Sequence, residues 1–163
     1  MAVLARLATI DDAEATRAIY NVEVTESTVT FDLVPRTLEE QRAWLTARSG
    51  AHAVLVAEDG GDVVGFASFS PYRDRPAYST SVEDSVYVRR DQQGKGVGTL
   101  LLAELVTLAT SHGFHTMIAR IVGGHDASIA LHRSLGFAVV GTEREVGRKF
   151  GRWLDVAVMQ IVL

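Results

Sequence analysis

Hydrophobic and polar positions alternate along this chain with two periods, and the switches between them mark the elements. Apolar-rich runs, some alternating with polar residues as at 82–88 and some continuous, predict strands over residues 3–8, 53–58, 63–70, 81–89, 115–121, 138–146 and 153–162. Helical spacing, as at Ala15, Ile19 and Val22, predicts a helix that starts in the cap region Thr9-Ile10-Asp11-Asp12 and runs to about Val24. Thr37-Leu38-Glu39-Glu40 reads as a capping box opening a second helix to Arg48. Further helices are expected over residues 99–111 and 126–135, the last closed by Gly136. Asp59-Gly60-Gly61-Asp62 joins two strands as a hairpin turn. A polar segment at 26–35 carries Phe31, and a loop with Pro71, Arg73, Arg75 and Pro76 precedes the strand at 81. The order β-α-α-β-β-β-α-β-α-β-β predicts an α+β fold. Its sheet should be mixed and largely antiparallel, with helices packed on it.

Bulk properties narrow the function classes. A chain of 163 residues suits a single domain over 1–163 and can bury a real core. The net charge of −4, with no basic block, gives no reason to expect nucleic acid. Cysteine is absent, which excludes disulfides, cysteine–zinc sites and a cysteine nucleophile. His52, His112, His115, His125 and His132 lack the spacing of a helical zinc site, so no metal is expected. The N-terminus has no long apolar core and no 18-residue apolar run occurs, so the expectation is a cytoplasmic protein without membrane association.

The run Gln93-Gly94-Lys95-Gly96-Val97-Gly98-Thr99 carries the clearest chemistry. It lies between a strand and a helix. The first amides of a helix have no internal partners and point outward, and the helix dipole places roughly half a positive charge there. Glycines let that backbone approach a phosphate closely. The string fits neither the ATPase loop nor the dinucleotide fingerprint, since the glycine that should follow Gly96 at the end of the latter is displaced. It does fit Gln/Arg-x-x-Gly-x-Gly, with Gln93, Gly96 and Gly98.

Strand alternation puts Glu83, Ser85 and Tyr87 on one face of the strand before this turn. Val82, Val86 and Val88 take the other, and Asp84 falls with the valines. An unpaired carboxylate there would be costly. Either a bulge near Asp84 or a polar cleft beside it is expected.

Taken together, these features make the chain resemble the GNAT N-acetyltransferase superfamily along nearly its whole length. The quoted matches are Tyr20-Asn21, Ser27-Thr28-Val29-Thr30-Phe31, Val82-Glu83-Asp84-Ser85-Val86-Tyr87-Val88, Gln93 to Gly98, Leu131-His132-Arg133-Ser134-Leu135-Gly136-Phe137 and Lys149-Phe150-Gly151-Arg152-Trp153-Leu154-Asp155. The strand and the last block resemble the group of phosphinothricin and methionine sulfoximine (methionine sulfone) acetyltransferases.

The resemblance implies an acyl-CoA N-acyltransferase fold with splayed central strands, acetyl-CoA as co-substrate, and transfer to the α-amine of a small amino-acid-like substrate. It implies Glu83 as base and His132 as a candidate acid toward the leaving thiolate, or else a binding group. Cofactor contacts are expected at Val86, Tyr87, Val88, Gln93, Gly94, Lys95, Gly96, Val97, Gly98, Thr99, Ser128 and Ser134, and at His125, where relatives usually have Asn. The substrate side is expected to use Phe31, Arg73, Asp74, Arg75, Tyr78, Glu83, Asp84 and Ser85, with an arginine on the carboxylate. A homodimer is implied through residues 149–153. Two alternatives stand beside this reading: a peptide or ribosomal-protein acetyltransferase, and a non-catalytic acyl-CoA-binding sensor.

Overall fold

The computed structural model describes residues 2–48 and 50–163. The strands are β1 (Leu4–Leu7), β2 (Val54–Asp59), β3 (Asp62–Pro71), β4 (Ser81–Val88), β5 (Thr116–Val122), β6 (Ala138–Lys149) and β7 (Arg152–Val162). The helices are α1 (Ala13–Glu26), α2 (Leu38–Ala47), α3 (Val97–Ser111) and α4 (Asp126–Ser134). The strands form one sheet in the order β1-β2-β3-β4-β5-β7-β6. Each neighbouring pair is antiparallel except β4 and β5. This is the mixed, mostly antiparallel α+β arrangement expected from the pattern.

The sheet buries both faces. Leu55, Ala67, Phe69, Val82 and Met117 pack with Leu101, Leu102 and Leu105 of α3, whereas Val54, Val56 and Phe66 pack with Ile19, Tyr20 and Val24 of α1 and Leu45 of α2. Local chemistry fixes the helix starts. Thr37 Oγ1 accepts from Glu40 N at 3.1 Å, and Glu40 Oε2 accepts from Thr37 N at 2.9 Å, the reciprocal cap its sequence promised. Among the described residues no helix is long and apolar enough to cross a membrane.

Two features position the site. First, β4 pairs with β5 only from Ser81↔Thr116 to Glu83↔Ile118, while β5 continues to Val122. Beyond Glu83 the two central strands diverge, as the resemblance implied. Second, α3 begins at Val97, two residues before the expected start, with Gly96 as its N-cap at φ +84°. Gly98 therefore sits inside the first turn of the helix rather than in the loop.

Of the two expectations for Asp84, the bulge is not found and the cleft beside it is. The β3–β4 register runs unbroken from Gly65↔Val88 to Pro71↔Val82. The carboxylate needs no bulge because a helix residue, His132, meets it. The register shifts near this end of the sheet lie in β6, between Val139 and Gly141 and between Glu143 and Gly147, so that β6 runs on to Lys149 rather than stopping near Val146.

Candidate active site

The divergence of β4 and β5 opens a cleft of about 540 Å³. Its walls bring together most of the residues expected at the cofactor: Val86, Tyr87, Val88, Gln93, Gly94, Gly96, Gly98, Thr99, His125 and Ser128. Gln93 folds back over the turn, its Nε2 donating to the Val88 carbonyl at 3.1 Å. No side chain caps α3, so its first amides are not claimed by a capping oxygen. A Cβ on Gly98 would stand 3.2 Å from a Leu131 methyl and 3.7 Å from Val88, so glycine is what lets the two helices and the strand close together here.

Three cofactor expectations are not met in the side chains. Val97 is buried in the core and can offer only its backbone. Lys95 is exposed and does not line the cleft. Ser134 is exposed outside the cleft, and its hydroxyl donates to the Leu131 carbonyl at 2.6 Å. It lies two residues past His132, which on a helix turns it well away from the His132 face. His125 does line the cleft, yet its Nε2 is engaged with Thr28 Oγ1 at 2.9 Å and ties the segment after α1 to the start of α4. Burial lowers its pKa, against the pull of Glu23 and Asp126.

The opposite face of the sheet holds a charged cluster. Met117, Ala119 and Ile121 face α3, so Arg120 faces the other way, toward the side of Glu83. Arg120 Nε lies 4.0 Å from Glu83 Oε1, and its Nη2 lies 2.5 Å from Glu143 Oε1. Burial raises the pKa of Glu83, and the charges of Asp84 and Glu143 act the same way, while Arg120 and Arg73 oppose them. A carboxylate whose pKa is raised by burial therefore stands beside the cleft. The Arg73 guanidinium stacks over Tyr72 at 4.9 Å, and Tyr72 meets Tyr78 edge-on at 5.5 Å. Arg73, Asp74, Arg75 and Tyr78 form an exposed rim and do not line the cleft itself. Phe31 packs its ring on Gly147 of β6, outside the cleft, and Ser85 lies in the cleft wall.

Asp84 and His132 meet inside the cleft wall. His132 Nε2 lies 3.0 and 3.1 Å from the two Asp84 oxygens, and its Nδ1 lies 2.7 Å from the Ser128 carbonyl oxygen. Asp84 is 7% exposed and His132 2%. Asp84, expected on the substrate side, lines the cleft and is also the partner of His132.

Several functional candidates were not anticipated. Glu23 lines the cleft and pairs with Arg90 at 3.0 Å. Arg120 could have been noticed as the one charge in Ile118-Ala119-Arg120-Ile121-Val122. Lys149 is only 3% exposed, and its ammonium donates to the carbonyls of Thr30 at 2.8 Å and Glu23 at 3.4 Å. It thereby fastens β6 to the end of α1 and to the segment before Phe31.

Known proteins share this arrangement. Residues 5–158 match the family described as an acetyltransferase (GNAT) domain. An L-methionine sulfoximine/L-methionine sulfone acetyltransferase of Pseudomonas paraeruginosa is 43% identical, covering 100% of this chain and 96% of that protein. A phosphinothricin acetyltransferase of Sinorhizobium meliloti, solved in complex with acetyl-CoA, superimposes with a TM-score of 0.96 at 41% identity, covering 100% of this chain and 89% of that one. A ribosomal-protein-alanine N-acetyltransferase of Brucella melitensis does so with a TM-score of 0.96 at 45% identity, covering 98% and 99%. The glycine turn at the start of α3, the divergent central strands and these matches along the chain place it in one family: it belongs to the GNAT acetyltransferases.

Proposed function

We propose that this protein transfers the acetyl group of acetyl-CoA to the α-amine of a small amino-acid-like substrate, with methionine sulfoximine, methionine sulfone and phosphinothricin as the leading acceptors. The observation that carries the reading is a cleft with an anion-binding turn at one end and a carboxylate of raised pKa beside it. The relatives named for these substrates support the choice of acceptor.

The residues present fit acetyl-CoA. The amides at the start of α3, behind Gly94 and Gly96, suit a pyrophosphate. Past Glu83, β4 has no β5 partner among the described residues, which leaves backbone groups of Ser85 to Val88 for the amide-bearing arm. When bound, acetyl-CoA supplies an activated acyl group. An amine is protonated at neutral pH and must lose a proton before it can attack. Glu83 takes that proton, and its raised pKa brings its basicity closer to the working pH. Arg73 at the rim offers a charge-assisted partner for the acceptor's carboxylate.

The test is free-CoA release from acetyl-CoA across a panel of free amino acids, their amides and N-terminal peptides. The resemblance to the Brucella enzyme keeps a peptide acceptor as the second reading. Turnover confined to peptides would replace the first reading with it, and donor binding without release would favour a sensor. We also propose a homodimer in the cytoplasm. Exposed Val146, Phe150 and Trp153 on the β6–β7 hairpin support self-association, which sedimentation would test.

A further inference from the structure

Arg120 is a cation with unused donors inside the cleft. It lines the opening between β4 and β5, and its side chain is 30% exposed there. From the pairing Glu83↔Ile118, two further steps along each parallel strand bring Arg120 level with Ser85, on the face that Glu83 occupies. A guanidinium carries five N–H donors. Among the described residues Arg120 makes two charge contacts, with Glu143 at 2.5 Å and Glu83 at 4.0 Å, and donates no aligned hydrogen bond. Glu143 Oε1 has no hydrogen-bond partner despite that approach.

The charges around Arg120 match one kind of acceptor. Glu83, Glu143 and Arg120 sum to one negative charge, which the ammonium group of an amino acid neutralises. Arg73, which feels the charge of Glu143, neutralises the carboxylate. Asp84 meets His132 on the α4 side, and Glu23 is held by Arg90. Among the described residues lining the cleft, no positive charge remains for a second anion. The N–H groups of Arg120 do remain, and they suit an oxygen that accepts strongly without carrying a net charge.

We propose that Arg120 is a specificity-determining residue that hydrogen-bonds a neutral oxygen on the acceptor's side chain, and that Glu143, by neutralising Arg120, sets the cleft against an anionic one. The assignment rests on the acetyl-transfer reading above and ranks its acceptors, with sulfone and sulfoximine ahead of phosphinate. Glu143 acts through Arg120 and is a positioning residue. The reach is short. An amine that gives its proton to Glu83 is hydrogen-bonded to that carboxylate, and Arg120 Nε stands 4.0 Å from the same carboxylate. A side chain of a few bonds then brings its terminal oxygens to the guanidinium.

Three acceptors of nearly one shape isolate the effect. Methionine has no side-chain oxygen, methionine sulfone has two neutral ones, and phosphinothricin has two that share a negative charge. Free-CoA release at neutral pH gives kcat/KM for each. The wild type should favour the sulfone over methionine by about tenfold or more, the scale of a hydrogen bond from a charged group. It should also favour the sulfone over phosphinothricin by about tenfold or more. Arg120→Met removes every donor at similar length and should bring sulfone and methionine within about threefold of each other. Glu143→Gln keeps the shape but leaves Arg120 its full charge, so the ratio of phosphinothricin to sulfone should rise about tenfold. A change in the strength of the base acts on both acceptors alike and cancels in that ratio, so a merely structural role of Glu143 would not move it.

Equal turnover of methionine and its sulfone, a wild type that prefers phosphinothricin, a sulfone preference that survives Arg120→Met, or a ratio unmoved by Glu143→Gln overturns the proposal. If Arg120→Met does not fold, the other three measurements decide it. Absence of CoA release with every amine overturns the acetyl-transfer reading and the ranking with it, whereas release with unmoved ratios strikes the ranking alone.

Discussion

Arg120 of β5 reaches across β7 to Glu143 of β6, 2.5 Å away, as an ion pair rather than an aligned hydrogen bond. Glu83 receives the weaker share of the same guanidinium, at 4.0 Å. Glu143 thus draws away a charge that would otherwise make Glu83 more acidic.

Glu143→Gln should release Arg120 toward Glu83. The charged form of Glu83 would gain a nearer partner, so its pKa should fall. Because the base works when ionised, the acidic limb of kcat/KM should move to lower pH, and the plateau should drop as the base weakens. Arg120→Gln should move the limb the opposite way. A limb that stays in place in both variants would remove Glu83 as the group that sets it.

Glu83→Gln keeps the shape and removes the proton acceptor. General-base contributions run about 10²–10⁴-fold, so kcat should fall within that range while acetyl-CoA still binds. A loss under threefold would assign the base elsewhere.

Gly98 is the sharper test of the cofactor turn, because Gly96, at φ +84°, would also strain the backbone if replaced. A valine at Gly98 meets Leu131 and Val88 and crowds the wall above the turn. The acetyl-CoA KM should rise at least about tenfold, or about 1.4 kcal/mol. An unchanged KM in a folded variant would place the donor elsewhere.

Arg73 lies at the exposed rim, stacked on Tyr72. If it holds the acceptor's carboxylate, an amino-acid amide should be turned over about 10–150-fold less efficiently than the free acid. Arg73→Ala should erase most of that difference. Equal rates on acid and amide in the wild type would favour peptide acceptors, and a difference lost only in Arg75→Ala would move the anchor two residues along the loop.

What could be read from the sequence was local chemistry. The Thr37–Glu40 cap, the turn at 59–62 and the glycines before α3 all act within a few residues of themselves. Alternation also exposed Asp84 as a charge in need of a partner. It could not name that partner, since His132 lies 48 positions away and reaches β4 only because α4 packs on that side of the sheet. Arg120 and Glu143 escaped notice for a related reason. Their meeting depends on β7 lying between β5 and β6, an order that the chain sequence does not spell out. Ser134 was misplaced because a sequence motif fixes spacing but not which side of α4 meets the cleft.

The divergence of β4 from β5 makes the middle of this sheet behave like two unfinished borders. Past Glu83, the ladder that joins these strands ends while β5 continues. Exposed strand borders invite other chains to pair with them, but here they face each other inside a narrow wall that Leu131, Gly98 and His132 also bound. A slender ligand with amides along its length can complete the ladder where a folded neighbour cannot enter. Occupancy and folding are then linked: a ligand at a hundred times its dissociation constant adds about 2.7 kcal/mol to stability. The protein's resistance to heat and proteolysis should therefore rise and fall with the supply of its acyl donor, even when no acceptor is present.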